Sequence, residues 1–136
     1  NVRFLGWQTP AALAKLMARA TAVVVPSREA ADGDCEGLPT VVLEAIRAGA
    51  PVIASRHAGI PEIITHEVSG LLAPENDADA LAVLLRQAID HAAHLPSFVT
   101  AAQRRLTADF DAQTQSRRLQ QILLGHSQIK MNFSSQ

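Results

Sequence analysis

Short apolar runs alternate along this chain with stretches whose apolar positions recur every three or four residues. The runs at Val2–Leu5, Ala22–Val25, Pro51–Ala54 and Gly70–Ala73 read as strands, the second buried on both faces because polar alternation is absent. Between them lie helical patterns. Thr9 is a candidate N-cap and Pro10 suits a first turn, and Leu13, Leu16, Met17 and Ala20 then form the buried stripe of that helix. A second helix is expected from Leu38 or Pro39 to Ala48, closed by Gly49. A short third turns at Gly59–Pro61 and ends near Thr65. Asn76 or Asp77 caps a long fourth, with Leu81, Leu84, Leu85, Ala88 and Ile89 on one face. Two more helices are predicted over about 96–108 and 111–124, and a loosely held tail from 126 to 136.

Strand and helix in alternation predict an α/β fold: an open parallel sheet with helices on both faces, Rossmann-like, ending in a helical C-terminus. Ligands of such sheets sit at the carboxyl ends of the strands. The loops to watch are Gly6–Thr9, Ser27–Leu38, Ser55–Pro61 and the one after Leu72.

Composition narrows the function classes. Of 136 residues, 48% are hydrophobic and 18% charged, which excludes a disordered solvating chain. A net charge of −1 offers no electrostatic grip on nucleic acid, and the absence of Tyr with one Trp argues against base-stacking platforms. One cysteine excludes an internal disulfide and a multi-cysteine zinc site. The longest apolar stretch, Gly37–Ser55, is interrupted by Glu44 and Arg47 and is no membrane span.

The chemistry concentrates in Glu36-Gly37-Leu38-Pro39-Thr40-Val41-Val42-Leu43-Glu44. Gly37 permits close backbone approach to a ligand. Pro39 fits the start of a helix, and the free amides around Leu38, Thr40 and Val41 make an anion site for which phosphate is the natural guest. Glu36 and Glu44 flank this cradle. Neither should touch phosphate, but each can accept from a pair of hydroxyls, as a sugar on one side and a ribose on the other would offer. The bland alternative is an exposed loop carboxylate and a surface helix residue. Against it, the helix reads as apolar nearly all round, so that Glu44 would need a partner.

This segment resembles the E-x7-E signature of family-4 retaining glycosyltransferases, the glycosyl transferases group 1 of two-domain GT-B architecture. Further blocks follow that family's order. Phe4-Leu5-Gly6 resembles its F-x-G, Val24-Val25-Pro26-Ser27 a strand ending in P-S, and Ala48–Ser55 its A-x-G-x-P-V-(I/V)-A segment. Gly59-Ile60-Pro61-Glu62 resembles G-x-P-E, and Gly70–Pro74 the G-x-L-x-x-P pattern. The resemblance implies that residues 1–125 are the later, donor-binding part of such an enzyme, lacking the acceptor domain and inactive alone.

It implies roles residue by residue. Glu36 would hold donor-sugar hydroxyls at the reacting centre. Gly37, Leu38, Pro39, Thr40 and Val41 would line the sugar and diphosphate, Glu44 would hold the ribose, and Gly6, Trp7 and Gln8 would lie near the base. The partner is a nucleotide-diphosphate-sugar donor, no metal or other cofactor is expected, and the location is cytoplasmic. Peripheral association of the full protein with the inner membrane face stays open, as do a sugar-nucleotide epimerase of the same architecture and a non-catalytic nucleotide-binding module. The chain departs from the family in its loop, where Glu36 meets Gly37 directly. The family's basic diphosphate clamp lies upstream of the F-x-G block and is not matched here.

Other residues receive ordinary readings. His57 is expected as an exposed loop residue, and His66, His91, His94 and His126 as surface. Asp32 and Asp34 read as a solvated turn, Cys35 as a semi-buried thiol, and Arg104, Arg105, Arg117 and Arg118 as solvated helix faces.

Overall fold

A computed structural model describes residues 2–29 and 37–133, with side chains described through Leu124. It divides into two compact units, Asn1–Arg104 and Arg105–Gln136.

The first unit is built on a parallel sheet. Strands β1 (Val23–Val25), β2 (Val52–Ser55) and β3 (Leu71–Ala73) lie in the order β1-β2-β3. Val24 pairs with Ile53, and Ile53 with Leu71, in one row; Val25, Ala54 and Leu72 form the next. Side chains alternate between faces along a strand. Both rows are buried in β2 and β3, so each face of the sheet is covered. The helices are α1 (Pro10–Arg19), α2 (Thr40–Arg47), α3 (Ile60–Ile63), α4 (Ala78–Asp90) and α5 (Leu95–Asp109), which runs on into the second unit. Leu84 and Ala88 of α4 and Leu95 of α5 pack on Ile53, Leu71 and Ala73. Helix α2 buries Val42, Ala45 and Ile46 and packs against β1, β2 and α1.

Local signals end the helices where expected. Thr9 accepts the Ala12 amide at 3.2 Å ahead of Pro10, and Asp77 accepts the Ala80 amide at 2.8 Å. At the end of α2, Gly49 takes φ +79° and its amide donates to Ile46 O at 3.1 Å. Gln103 Nε2 donates to the same carbonyl at 3.1 Å.

Several expectations are corrected. Val2–Leu5 is not a strand. Among the described residues no neighbour pairs with it, and its side chains stay out, Phe4 at 94% exposure. An extended segment gains stability only from a ladder partner and a face to bury. Without that neighbour β1 is an edge, which is why Val24 is exposed rather than buried on both faces. Leu16 and Ile89 are exposed too, because Met17 alone is buried on α1 and Leu84 and Ala88 on α4. Helix α2 begins at Thr40, one residue after Pro39 and two after Leu38, with Pro39 as its buried N-cap.

In the second unit, α6 (Ala112–Phe133) continues as helical backbone past Gly125, where a loose tail was expected. A helix interior tolerates a glycine at a cost of about 1 kcal/mol, and no proline follows to stop it. Asp111 caps α6 by accepting the Thr114 amide at 3.0 Å, and that bond first of all holds its carboxyl below the usual range. Arg118 pairs with Asp109 at 3.2 Å, while Arg104, Arg105 and Arg117 have exposed side chains. Among the described residues no helix is long and apolar enough to cross a membrane.

Gly70, at the entry to β3, sets the tightest approach. A Cβ there would lie 2.8 Å from Val52 O and 2.9 Å from Ile64 Cγ2. Gly70→Ala should therefore destabilise the fold by about 1–3 kcal/mol, measured as a lowered urea midpoint with unchanged slope.

Candidate functional site

Because the strands are parallel, the loops after β1, β2 and β3 leave from one edge of the sheet. Backbone bonds knit them together. The Arg56 amide donates to Ala73 O at 2.7 Å, and the Gly59 amide donates to Gly37 O at 2.9 Å. The second bond sets the entry to α2. There Pro39 supplies no N–H and no side chain caps the helix. The Val42 amide turns back to Pro39 O at 3.1 Å. Among the described residues, the amides of Leu38, Thr40 and Val41 meet no protein acceptor. Unpaired amides at the start of an eight-residue helix suit an anion, with the helix dipole favouring negative charge.

A second feature lies between α1 and α2. A cleft of about 350 Å³ is lined by Gln8, Pro10, Leu13, Ala14, Met17, Glu44, Arg47 and Ala48. It brings together two residues singled out from the sequence, Gln8 and Glu44. Gln8 is anchored by its Nε2 donating to Leu5 O at 2.7 Å, after a left-handed turn at Gly6 (φ +62°). Trp7 does not line this cleft and is 84% exposed. Glu44 is exposed, in line with Thr40 and Arg47 on α2. The helix therefore has a polar stripe, and Glu44 needs no buried partner. What stands for it is its position: a carboxylate on the rim of an apolar cleft. A larger cavity, about 450 Å³, lies under α4 and α5 beside Leu71, Ala88 and Phe98. Leu71 opens β3, so that cavity is at the amino end of the strand, away from the loops.

Glu36 lies outside the described residues, as do Asp32, Asp34 and Cys35; the side chain of His126 does too. Among the described residues no three His, Cys, Asp or Glu side chains group as metal ligands would.

Two histidines depart from expectation. His57 is 5% exposed, not a free loop residue, and its Nδ1 lies 2.9 Å from Glu75 Oε2. The other oxygen of Glu75 accepts the Glu29 amide at 2.7 Å. That amide, ahead of the His57 bond, holds the Glu75 carboxyl below its ordinary value. His66 is half-buried, with Nδ1 accepting the Leu72 amide at 3.0 Å, and so serves β3 rather than the surface. His91 and His94 are exposed as expected. Glu75 was not singled out from the sequence. Its partners sit eighteen and forty-six residues away, and no local pattern announces them.

The family model described as glycosyl transferases group 1 matches residues 1–105. The chain belongs to this family. Among curated relatives, this group 1 chain is 39% identical over 122 residues to the amylovoran biosynthesis glycosyltransferase AmsK of Erwinia amylovora, covering 90% of the chain and 30% of the relative. It is 42% identical over 102 residues to the putative colanic acid biosynthesis glycosyltransferase WcaL of Salmonella typhimurium, covering 74% and 25%. Among solved structures it is similar to Anabaena HepE in complex with UDP and glucose, with TM-score 0.75 and 26% identity over 91% of this chain and 32% of that one. Sucrose-phosphate synthase from Thermosynechococcus elongatus gives 0.70 and 30% over 84% and 28%. The chain thus spans about a quarter to a third of the length of these proteins. Its open parallel sheet with flanking helices and a helical C-terminus agrees with the GT-B neighbours.

Gly59 is the most exposed of the site's backbone choices to a simple test. A Cβ there would lie 3.1 Å from Leu38 Cβ and 3.3 Å from Gly37 O. Gly59→Ala should move the Gly37–Leu38 segment while leaving the sheet in place. The check is a shift of the Leu38 amide resonance with Ile53 and Leu72 amides unmoved.

Proposed function

We propose that this group 1 chain is the donor-binding part of a retaining glycosyltransferase that moves a sugar from a nucleotide-diphosphate-sugar to an acceptor in polysaccharide or glycolipid assembly. The observation that carries this reading is the pairing of two complementary features on α2. Its first amides have no protein acceptor among the described residues, and Glu44 one turn later shares an apolar cleft with Gln8. Amides suit the diphosphate, the carboxylate suits a ribose diol, and the apolar wall of Leu13 and Met17 suits a flat base. The relatives named for amylovoran and colanic acid biosynthesis, and HepE with UDP, support the same class of substrate.

In this mechanism Glu36 holds the donor sugar's hydroxyls. The acceptor oxygen attacks the anomeric carbon from the face that the diphosphate leaves. The bond from that carbon to the phosphate oxygen breaks, and the departing phosphate takes the acceptor's proton. The amides of Thr40 and Val41 stabilise the charge that develops on the leaving group. No metal is essential in this scheme. It goes with a cytoplasmic reaction, and acceptor choice falls to parts of the enzyme beyond this domain. An epimerase of the same architecture would use the same nucleotide contacts but release a free epimerised sugar nucleotide.

Two substitutions separate the roles. Glu44→Ala should weaken nucleoside-diphosphate binding by roughly tenfold or more, the worth of a charge-assisted hydrogen bond. Calorimetric titration with UDP, GDP and ADP measures it, and an unchanged affinity would remove the ribose assignment. Glu36→Ala in the complete enzyme should lower kcat far more than nucleotide affinity. Product analysis by NMR should then find a glycosidic bond of the donor's own anomeric configuration.

A further inference from the structure

The loop that leaves β1 has to hold its place at the sheet's edge without a strand beside it. Among its described residues, 26–29 and 37–39, two hydrogen bonds reach another loop. Near its start the Glu29 amide donates to Glu75 Oε1 at 2.7 Å, and at its end Gly37 O accepts the Gly59 amide at 2.9 Å. Glu75 follows β3, and its second oxygen lies 2.9 Å from His57 Nδ1, in the loop that follows β2. His57 and Gly59 belong to one short corner. Both ends of the β1 loop are therefore fastened to the same corner, one end directly and the other through Glu75.

We infer that Glu75 is a positioning residue, a single carboxylate that ties the loops after β1, β2 and β3 together and so sets where Arg28–Glu29 and Gly37–Leu38, the described ends of the β1 loop, stand at the donor site. This rests on the nucleotide-sugar reading for what the loop is positioned to do. The tie itself rests on geometry alone.

The chemistry of the group fits the task. Its carboxyl is held below the ordinary glutamate value, first by the Glu29 amide and then by His57, so it is ionised at neutral pH. An ionised carboxylate only accepts, so Nδ1 of His57 carries the proton and donates. Both bonds are charge-assisted, the stronger class. The backbone turns sharply beside both groups. Ala58 and Asn76, the residues directly after His57 and Glu75, adopt φ +47° and +59°. Left-handed backbone is costly for alanine and persists where surrounding contacts enforce it. Each partner of the bond thus stands directly before a left-handed residue, at a sharp local turn of its loop. Glu75 makes no contact with the cleft beside Glu44, so its influence on binding would run through the loop.

The test uses the 15N-labelled chain. Glu75→Ala should speed hydrogen exchange at the Glu29 amide by roughly tenfold to a hundredfold, while exchange at Ile53 and Leu72 stays within about twofold. Glu75→Gln keeps an acceptor for that amide and should restore most of the protection. In the complete enzyme carrying the same substitutions, affinity for UDP should fall about tenfold in Glu75→Ala and recover in Glu75→Gln. Unchanged exchange at Glu29 in Glu75→Ala overturns the tie. Equal acceleration at Ile53 and Leu72 makes Glu75 a fold residue and overturns the positioning role. So does an opened loop with undiminished UDP affinity. A complete wild-type enzyme that binds none of UDP, GDP and ADP overturns the nucleotide reading instead, and with it the purpose assigned to the tie, while the exchange rates still decide whether the tie exists.

Discussion

Parallel pairing of β2 between β1 and β3 is the constraint from which the rest of the site follows. Once Val24, Ile53 and Leu71 share a row, the three strands must end at the same edge and release their loops together. Those loops carry polar backbone that the sheet no longer satisfies. Arg56 to Ala73 and Gly59 to Gly37 settle part of that need within the protein. Among the described residues the amides at the start of α2 are left without a protein acceptor, and such amides suit an anion. An uncapped helix start is usually a small defect in stability. Here it coincides with a buried proline at the N-cap and a glycine corner packed against it, which hold the defect in one place.

Glu44 shows how exposure changes the chemistry open to a carboxylate. An apolar helix would have made it a buried charge in search of a partner. Helix α2 has a polar stripe, and Glu44 stands on it in contact with water. A solvated carboxylate at a cleft's rim can exchange water for sugar hydroxyls with little desolvation penalty, whereas a buried one would already be committed to a partner.

What was legible in the sequence was local. Thr9 before Pro10, Asp77 before α4 and Gly49 after α2 act within one helical turn, and each does so in the fold. The alternation of strand and helix, read with the ordered blocks from Phe4 to Pro74, was enough for the parallel α/β class. What was not legible depends on who the neighbour is. Val2–Leu5 has a strand's composition but no described strand to pair with, and Leu16 and Ile89 continue apolar stripes beyond the surface that covers them. His57 looks like any loop histidine until Glu75 arrives from the end of another strand. Burial of a polar side chain is set by its partner, and that partner is remote in sequence.

The register of the sheet also orders its assembly. The residues that join β2 to β3 are closer along the chain than those that join β1 to β2. A shorter closure costs less chain entropy, so β2 and β3 should zip together first, with α3 folded between them. β1 then docks on a surface that already exists, bringing its following loop with it. The edge strand β1 is in this view the last part of the sheet to be assembled, and the first to come loose when the chain begins to unfold.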